Sequence, residues 1–140
     1  LNLRWNEIGV EGARYLSENT SWEYLKTLDL SCNRLGAEGA GNLSKNFSWT
    51  QLQTLILENN DIGSAGAKNL SQNKSWISLQ TLIIKNNCIG YKGIIFLSEN
   101  KDWKNLKNVD FSTEELSIPM CLLIETNTTW TNYGGKKLLK

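Results

Sequence analysis

The side chains able to do chemistry in this chain are few in kind. There is no histidine, and the three cysteines, Cys32, Cys88 and Cys121, form no CxxC pair. A His/Cys zinc site is therefore excluded, and an all-cysteine one finds no supporting spacing. Three cysteines make no even disulfide framework, so a reducing compartment is the simplest setting for them. Arg4, Arg14 and Arg34 are accompanied by no acid–base pair, nucleophile–base pair or metal set. No GxxxxGK[ST] phosphate loop is present. Asn19, Asn42, Asn73 and Asn127 each open an N-x-S/T sequence, the acceptor pattern for glycans. These sequences follow, however, from recurring Asn and Ser columns, and unpaired cysteines argue against secretion. These residues together lead us to expect no enzyme, no cofactor and no metal.

Amides and indoles at a constant step are what the chain offers instead. Asn6, Asn33, Asn60 and Asn87 are evenly spaced, at 33 − 6 = 27 residues. Trp22, Trp49, Trp76, Trp103 and Trp130 keep the same step. Exposed indoles can stack on sugars or bases. Each of these lies after a helical segment, and the first four lie three residues before a leucine of the Leu25, Leu52, Leu79, Leu106 column. A packed ladder over the helix-to-strand loop is the better reading, with each indole N–H bonded to a neighbouring loop. Trp5 is the exception, taking the place held by Cys32, Asn59 and Asn86, and its exposure would mark a contact.

The elements that must position these side chains emerge from the other columns. Leu1, Leu28, Leu55, Leu82 and Val109 share one; Leu3, Leu30, Leu57, Ile84 and Phe111 the next. Ile8, Leu35, Ile62, Ile89 and Leu116 form a third, and Leu16, Leu43, Leu70, Leu97 and Ile124 a fourth. Each unit reads as one strand and one helix. In LDLSCNRL, Leu28 to Leu35, apolar and polar residues alternate as in a half-buried strand. Asn33 ends the strand, Gly36 turns the chain, and AEGAGNLSKN carries Ala40 and Leu43 at helical spacing. Asn46 closes the helix as a residue that tolerates the left-handed conformation. Gly12, Gly39, Gly66 and Gly93 fall inside the helices at a cost of about 1 kcal/mol against alanine. Their recurrence suggests close packing of each helix against sheet or helix.

One such unit cannot bury its own apolar face, so units must stack, Leu28 over Leu55 and Leu55 over Leu82. Strands about 4.8 Å apart and helices about 10 Å across then force curvature. The expected fold is an α/β solenoid: a right-handed βα arc, with a parallel sheet on the concave face and helices outside. It forms a single domain, 1–140, with repeats of about 1–27, 28–54, 55–81, 82–108 and 109–135 and a partial unit at 136–140. The fifth unit departs from the pattern: Glu114, Ser117 and Met120 replace the Asn and the two Gly. Ser117 and Pro119 suit a helix start there, and a sixth strand is expected from Lys136, with Leu138 in the Leu3 column. Neither end carries a polar cap, so the chain reads as a piece of a longer array or as one that self-associates through its terminal repeats.

The pattern LxLxxNxIG followed by GAxxL, as in LDLSCNRLGAEGAGNL, LILENNDIGSAGAKNL and LIIKNNCIGYKGIIFL, resembles the ribonuclease-inhibitor-like leucine-rich repeats. The resemblance covers Leu1 to about Asn108 and continues in weaker form beyond. It implies that the Asn6, Asn33, Asn60, Asn87 column satisfies backbone groups of adjacent turns from coil to coil. Similar repeats occur in ribonuclease inhibitors, sensing regions of cytosolic immune receptors, Ran GTPase-activating proteins and effectors of intracellular bacteria. The implied role is a protein-interaction scaffold, in the cytoplasm or, for a bacterial effector, the host cytosol. A Ran GTPase-activating-type regulator and the ligand-sensing fragment of a larger receptor or effector are the alternatives.

Fifteen basic against fourteen acidic residues, a formal charge of +1, give no general attraction to nucleic acid or anionic lipid. No apolar run approaches the roughly 20 residues that cross a bilayer. A protein partner is what the resemblance implies. Strand alternation turns Leu28 and Leu30 inward, so Thr27, Asp29 and Ser31 face the partner. The equivalent sets are Thr54, Ile56 and Glu58; Thr81, Ile83 and Lys85; and Asn108, Asp110 and Ser112, with Asn2 and Arg4 as a partial set. Ile56 and Ile83 lie side by side within polar surroundings, the anatomy of a small interface centre.

Overall fold

A computed structural model describes residues 1–112, 130, 132–133 and 136–137. Each coil turns from strand to helix through three left-handed residues in five. In the second coil these are Cys32 (φ 58°), Arg34 (54°) and Gly36 (62°); Asn59, Asp61 and Gly63 repeat them, as do Trp5, Glu7 and Gly9, and Asn86, Cys88 and Gly90. A left-handed L-residue costs roughly 1–2 kcal/mol, so something must hold the turn. The ladder asparagine between the first two does so. Asn60 Oδ1 accepts from Asn33 N–H (2.9 Å), and its Nδ2 donates to the Leu30 and Leu57 carbonyls (2.8 and 3.0 Å). Asn33 and Asn87 repeat these bonds one coil away. The Asn60 carbonyl also accepts from Gly36 N–H at 2.8 Å. Each turn is therefore closed by the coil that follows it.

The turns feed four helices, α1 (Gly9–Glu18), α2 (Gly36–Ser44), α3 (Gly63–Leu70) and α4 (Gly90–Ser98). Between them run strands β1 (Thr27–Asp29), β2 (Thr54–Ile56), β3 (Thr81–Ile83) and β4 (Asn108–Asp110). These four strands are parallel and in register at 27 residues, Leu28 against Leu55, Leu55 against Leu82 and Leu82 against Val109. The strands are shorter than the alternation of Leu28 to Leu35 predicts, although the amides of Leu30 and Cys32 still donate to the next coil before the left-handed residue at Cys32 turns the chain. Leu28, Leu30, Leu35, Leu43 and Leu52 and their counterparts in the third and fourth coils are buried between sheet and helices, whereas those of the first coil are exposed or partly buried. The fold is the expected α/β solenoid arc.

Gly39, Gly66 and Gly93 of the glycine column sit where helices meet. A Cβ on Gly66 would stand 3.0 Å from Ala37 Cα of α2, and one on Gly93 would stand 3.0 Å from Ala67 Cβ of α3. At the other end of each helix the loops carry a second ladder, where the sequence alone suggests simple helix stops. Asn46, Asn73 and Asn100 donate from Nδ2 to carbonyls of the preceding coil, Ser17 and Asn19, Ser44 and Asn46, Ser71 and Asn73. Their Oδ1 atoms accept from the N–H of Trp49, Trp76 and Trp103. Asn46 thus ends its helix without the left-handed conformation expected of it.

Those tryptophans are the packed ladder that their spacing predicts. Trp22, Trp49, Trp76 and Trp103 stack with centroids 6.4, 6.4 and 5.9 Å apart and planes tilted by 19°, 14° and 15°. The spacing lies between that of strands and that of helices, as their place in the coil requires. The expected indole hydrogen bonds are not made at Trp49, Trp76 and Trp103, whose Nε1 atoms are buried without an acceptor. Close stacking fixes the ring planes, and the asparagines bond the backbone N–H of these residues instead.

Beyond β4 the 27-residue register changes. The next strand, β5 (Asn132–Tyr133), pairs parallel with β4, Asn132 opposite Asn108, at 132 − 108 = 24 residues. A strand does begin at Lys136, but β6 (Lys136–Lys137) runs antiparallel to β5 and does not continue the parallel stack. Trp130 is buried. The substitutions at Glu114, Ser117 and Met120, the helix start at Pro119, and Leu116, Cys121, Ile124 and Leu138 lie outside the described residues.

Candidate functional site

Parallel register turns the outward residues of β1 to β4 into rows across the sheet. One row is Thr27, Thr54, Thr81 and Asn108; the next is Asp29, Ile56, Ile83 and Asp110. Asn2 extends the second row through a bridge to Asp29. Two residues on, the amides of Cys32 and Asn59 donate to the carbonyls of Glu58 and Lys85. Ser31, Glu58 and Lys85 thus form a third row, with Arg4 before them.

Thr27 is exposed, and Asp29, Thr54, Ile56, Glu58, Thr81, Ile83, Lys85 and Asp110 are all half-buried. The two isoleucines stand on neighbouring rungs, about 4.8 Å apart. Ser31 is the correction: it is fully buried. Its hydroxyl and its N–H both donate to Asp29 Oδ1, at 2.6 and 2.9 Å. The serine is folded back beneath Asp29 and holds that carboxylate; it is not itself presented.

The charges on this face are unevenly matched. Lys85 Nζ meets Asp110 Oδ2 at 2.8 Å. That hydrogen bond and the Asp110 charge raise the Lys85 pKa, with a smaller push from Glu58. The Glu58 carboxylate has one long hydrogen bond, at 3.4 Å, from Asn86 Nδ2. Asp29 and Glu58 make no ion pair among the described residues. Of the arginines, Arg14 is bridged to Glu11 and Glu18 on α1, and Arg34 faces Glu7. Arg4 is exposed beside the sheet.

A second surface lies along the strand-to-helix turns. Trp5 is 72% exposed despite its left-handed backbone. It lines an open recess of about 440 Å³ with Glu7, Cys32, Arg34 and Asn59. The signal for it in the sequence is the bulky residue in a column otherwise filled by Cys and Asn. Near Leu1 a further recess of about 330 Å³ is lined by Leu1, Ser21, Trp22, Tyr24 and Leu25. Asn42 and Asn73 are buried and hydrogen-bonded, so their N-x-S sequences cannot carry glycans in the folded chain. Cys32 and Cys88 are free thiols. Among the described residues no helix is long and apolar enough to cross a membrane.

The comparison with known families agrees with this coil-by-coil layout. The family described as Leucine Rich repeat matches residues 1–17, 23–44, 50–71 and 77–98, more than half of the chain. Each match ends in or just after one of the helices α1 to α4. No curated protein matches the chain.

Proposed function

The chain belongs to the leucine-rich repeat family, whose repeats are generally protein-interaction modules; from this we propose that it is a non-enzymatic scaffold holding a partner protein on its sheet face. The observation that carries the proposal is the pair Ile56 and Ile83, adjacent on β2 and β3 and flanked in the same row by Asp29 and Asp110. An apolar centre with a polar border is how a small interface excludes water around its strongest contacts. Thr27, Thr54, Thr81, Glu58 and Lys85 form the border, and Ser31 contributes by fixing Asp29. Free thiols at Cys32 and Cys88 favour a reducing, cytoplasmic setting.

The test is Ile56→Asp combined with Ile83→Asp, assayed against a partner recovered by pull-down from cytosol. Neither side chain belongs to the buried core, so circular dichroism and thermal unfolding should change little. Binding should be lost. Retained binding would move the site to the strand-to-helix turns around Trp5.

A further inference from the structure

We propose that the partner presents a cationic side chain beside an apolar one: Arg or Lys against Asp29 and Glu58, and an aliphatic or aromatic group over Ile56 and Ile83. The inference rests on the reading of the sheet face as the binding surface and specifies what that surface selects. It comes from the charges left over once the intramolecular pairs are made. Asp29, Glu58 and Asp110 are the carboxylates in the two rows, and Lys85 is committed to Asp110 at 2.8 Å. Arg4, the other cation of those rows, pairs with neither Asp29 nor Glu58.

Asp29 is also prepared for such a contact. Both of its side-chain hydrogen bonds, from Ser31 Oγ and N, end on Oδ1, so Oδ2 is left without a partner among the described residues. A carboxylate already oriented loses less freedom on binding than a mobile one. A partner that covers Ile56 must also draw water from Asp29, its neighbour in the same row on the adjacent strand. Desolvating that carboxylate opposite a neutral or acidic group would be unfavourable, whereas a cation offsets the loss. The face thereby rejects acidic segments as well as admitting basic ones. The spacing is one that a peptide can meet. Ile56 stands about 4.8 Å from the Asp29 rung and about 6.6 Å along its own strand from Glu58. Side chains two apart on a strand, or three or four apart on a helix, bridge such distances.

A phage-displayed library of random peptides, panned against the whole chain, tests the proposal directly on the binding surface. Selected sequences should carry Arg or Lys within four positions of Leu, Ile, Phe or Trp. In fluorescence anisotropy, Asp29→Asn with Glu58→Gln should weaken a selected peptide by about tenfold or more, in line with close interfacial charge pairs. The same peptide with its cation replaced by Gln should bind the native chain and this variant alike. Asn retains the oxygen that accepts from Ser31, so the fold should be unaffected, as a thermal melt would verify. Binders that need Ile56 and Ile83 but are indifferent to Asp29 and Glu58 overturn the cationic assignment and leave the sheet face as the site. Binders indifferent to Ile56→Asp with Ile83→Asp overturn the choice of face itself. Selection of no peptide, or of peptides without a cation, overturns the inference.

Discussion

Asn60 is where a single side chain controls most of its surroundings. It accepts from the N–H groups of Asn33 and Leu35 and donates to the carbonyls of Leu30, Leu57 and Glu58. The side chain itself is fully buried. Asn60→Ala takes the acceptor from the N–H groups of Asn33 and Leu35, while the Leu30, Leu57 and Glu58 carbonyls keep Asn33, Asn87 and Cys32 as donors; each buried orphan costs roughly 1–3 kcal/mol. The turns it supports also contain left-handed Cys32 and Arg34, which lose the contact that holds them. We expect a loss of about 3 kcal/mol in urea unfolding. Asn6→Ala is the comparison: Asn6 is exposed and its Nδ2 reaches only the Arg4 carbonyl, so it should cost less than about 1 kcal/mol. Equal midpoints for the two variants would contradict the ladder as a source of stability.

At the scale of the element, glycine in a helix is ordinarily a weakness that alanine repairs by about 1 kcal/mol. The helix-to-helix contact reverses that expectation in α3, whereas in α1 only a contact with the Ile8 side chain offsets it. A methyl on Gly66 meets Ile62 of its own helix, Ala37 Cα at 3.0 Å and Ala40 Cβ at 3.2 Å, whereas one on Gly12 meets only Ile8. Gly66→Ala should lower the melting temperature by forcing α2 and α3 apart, at about 1–3 kcal/mol, and Gly12→Ala should be close to neutral. Equal shifts for both would show that helix spacing is not the reason for the glycines. This contrast also marks what is legible in the sequence. The columns of Leu28, Leu55 and Leu82 disclose the strand, its register and its inward face, because side-chain alternation has a strict period. The outward row of Ile56 and Ile83 follows from the same alternation. What alternation does not encode is how neighbouring rows interact. The parity of Ser31 predicts exposure, yet a short side chain can fold onto Asp29. The left-handed turns are hidden at Cys32 and Arg34, residue types without a preference for that conformation, whereas Asn59, Asp61 and Asn86 in the same columns favour it. The second asparagine ladder is in plain view as a column, but a helix stop and an intercoil tie require the same residue.

For the molecule as a whole, stability passes from coil to coil, with α1 packed on α2, α2 on α3 and α3 on α4. In such an array each coil is as stable as its neighbours make it. Leu3, Ile8, Leu16, Trp22 and Leu25 are only partly buried, whereas Leu30, Leu35, Leu43, Trp49 and Leu52 are fully buried. Amide exchange followed by mass spectrometry should therefore be faster in Gly9–Glu18 than in Gly36–Ser44 or Gly63–Leu70. Equal protection across the three would mean that the array opens as one unit. The row of indoles offers a means of watching this happen. Rings 5.9 to 6.4 Å apart are close enough to exchange electronic excitation, so light absorbed at Trp22 can leave the molecule from Trp103. Opening any one coil breaks that relay at its ring and confines the excitation to the rings still stacked.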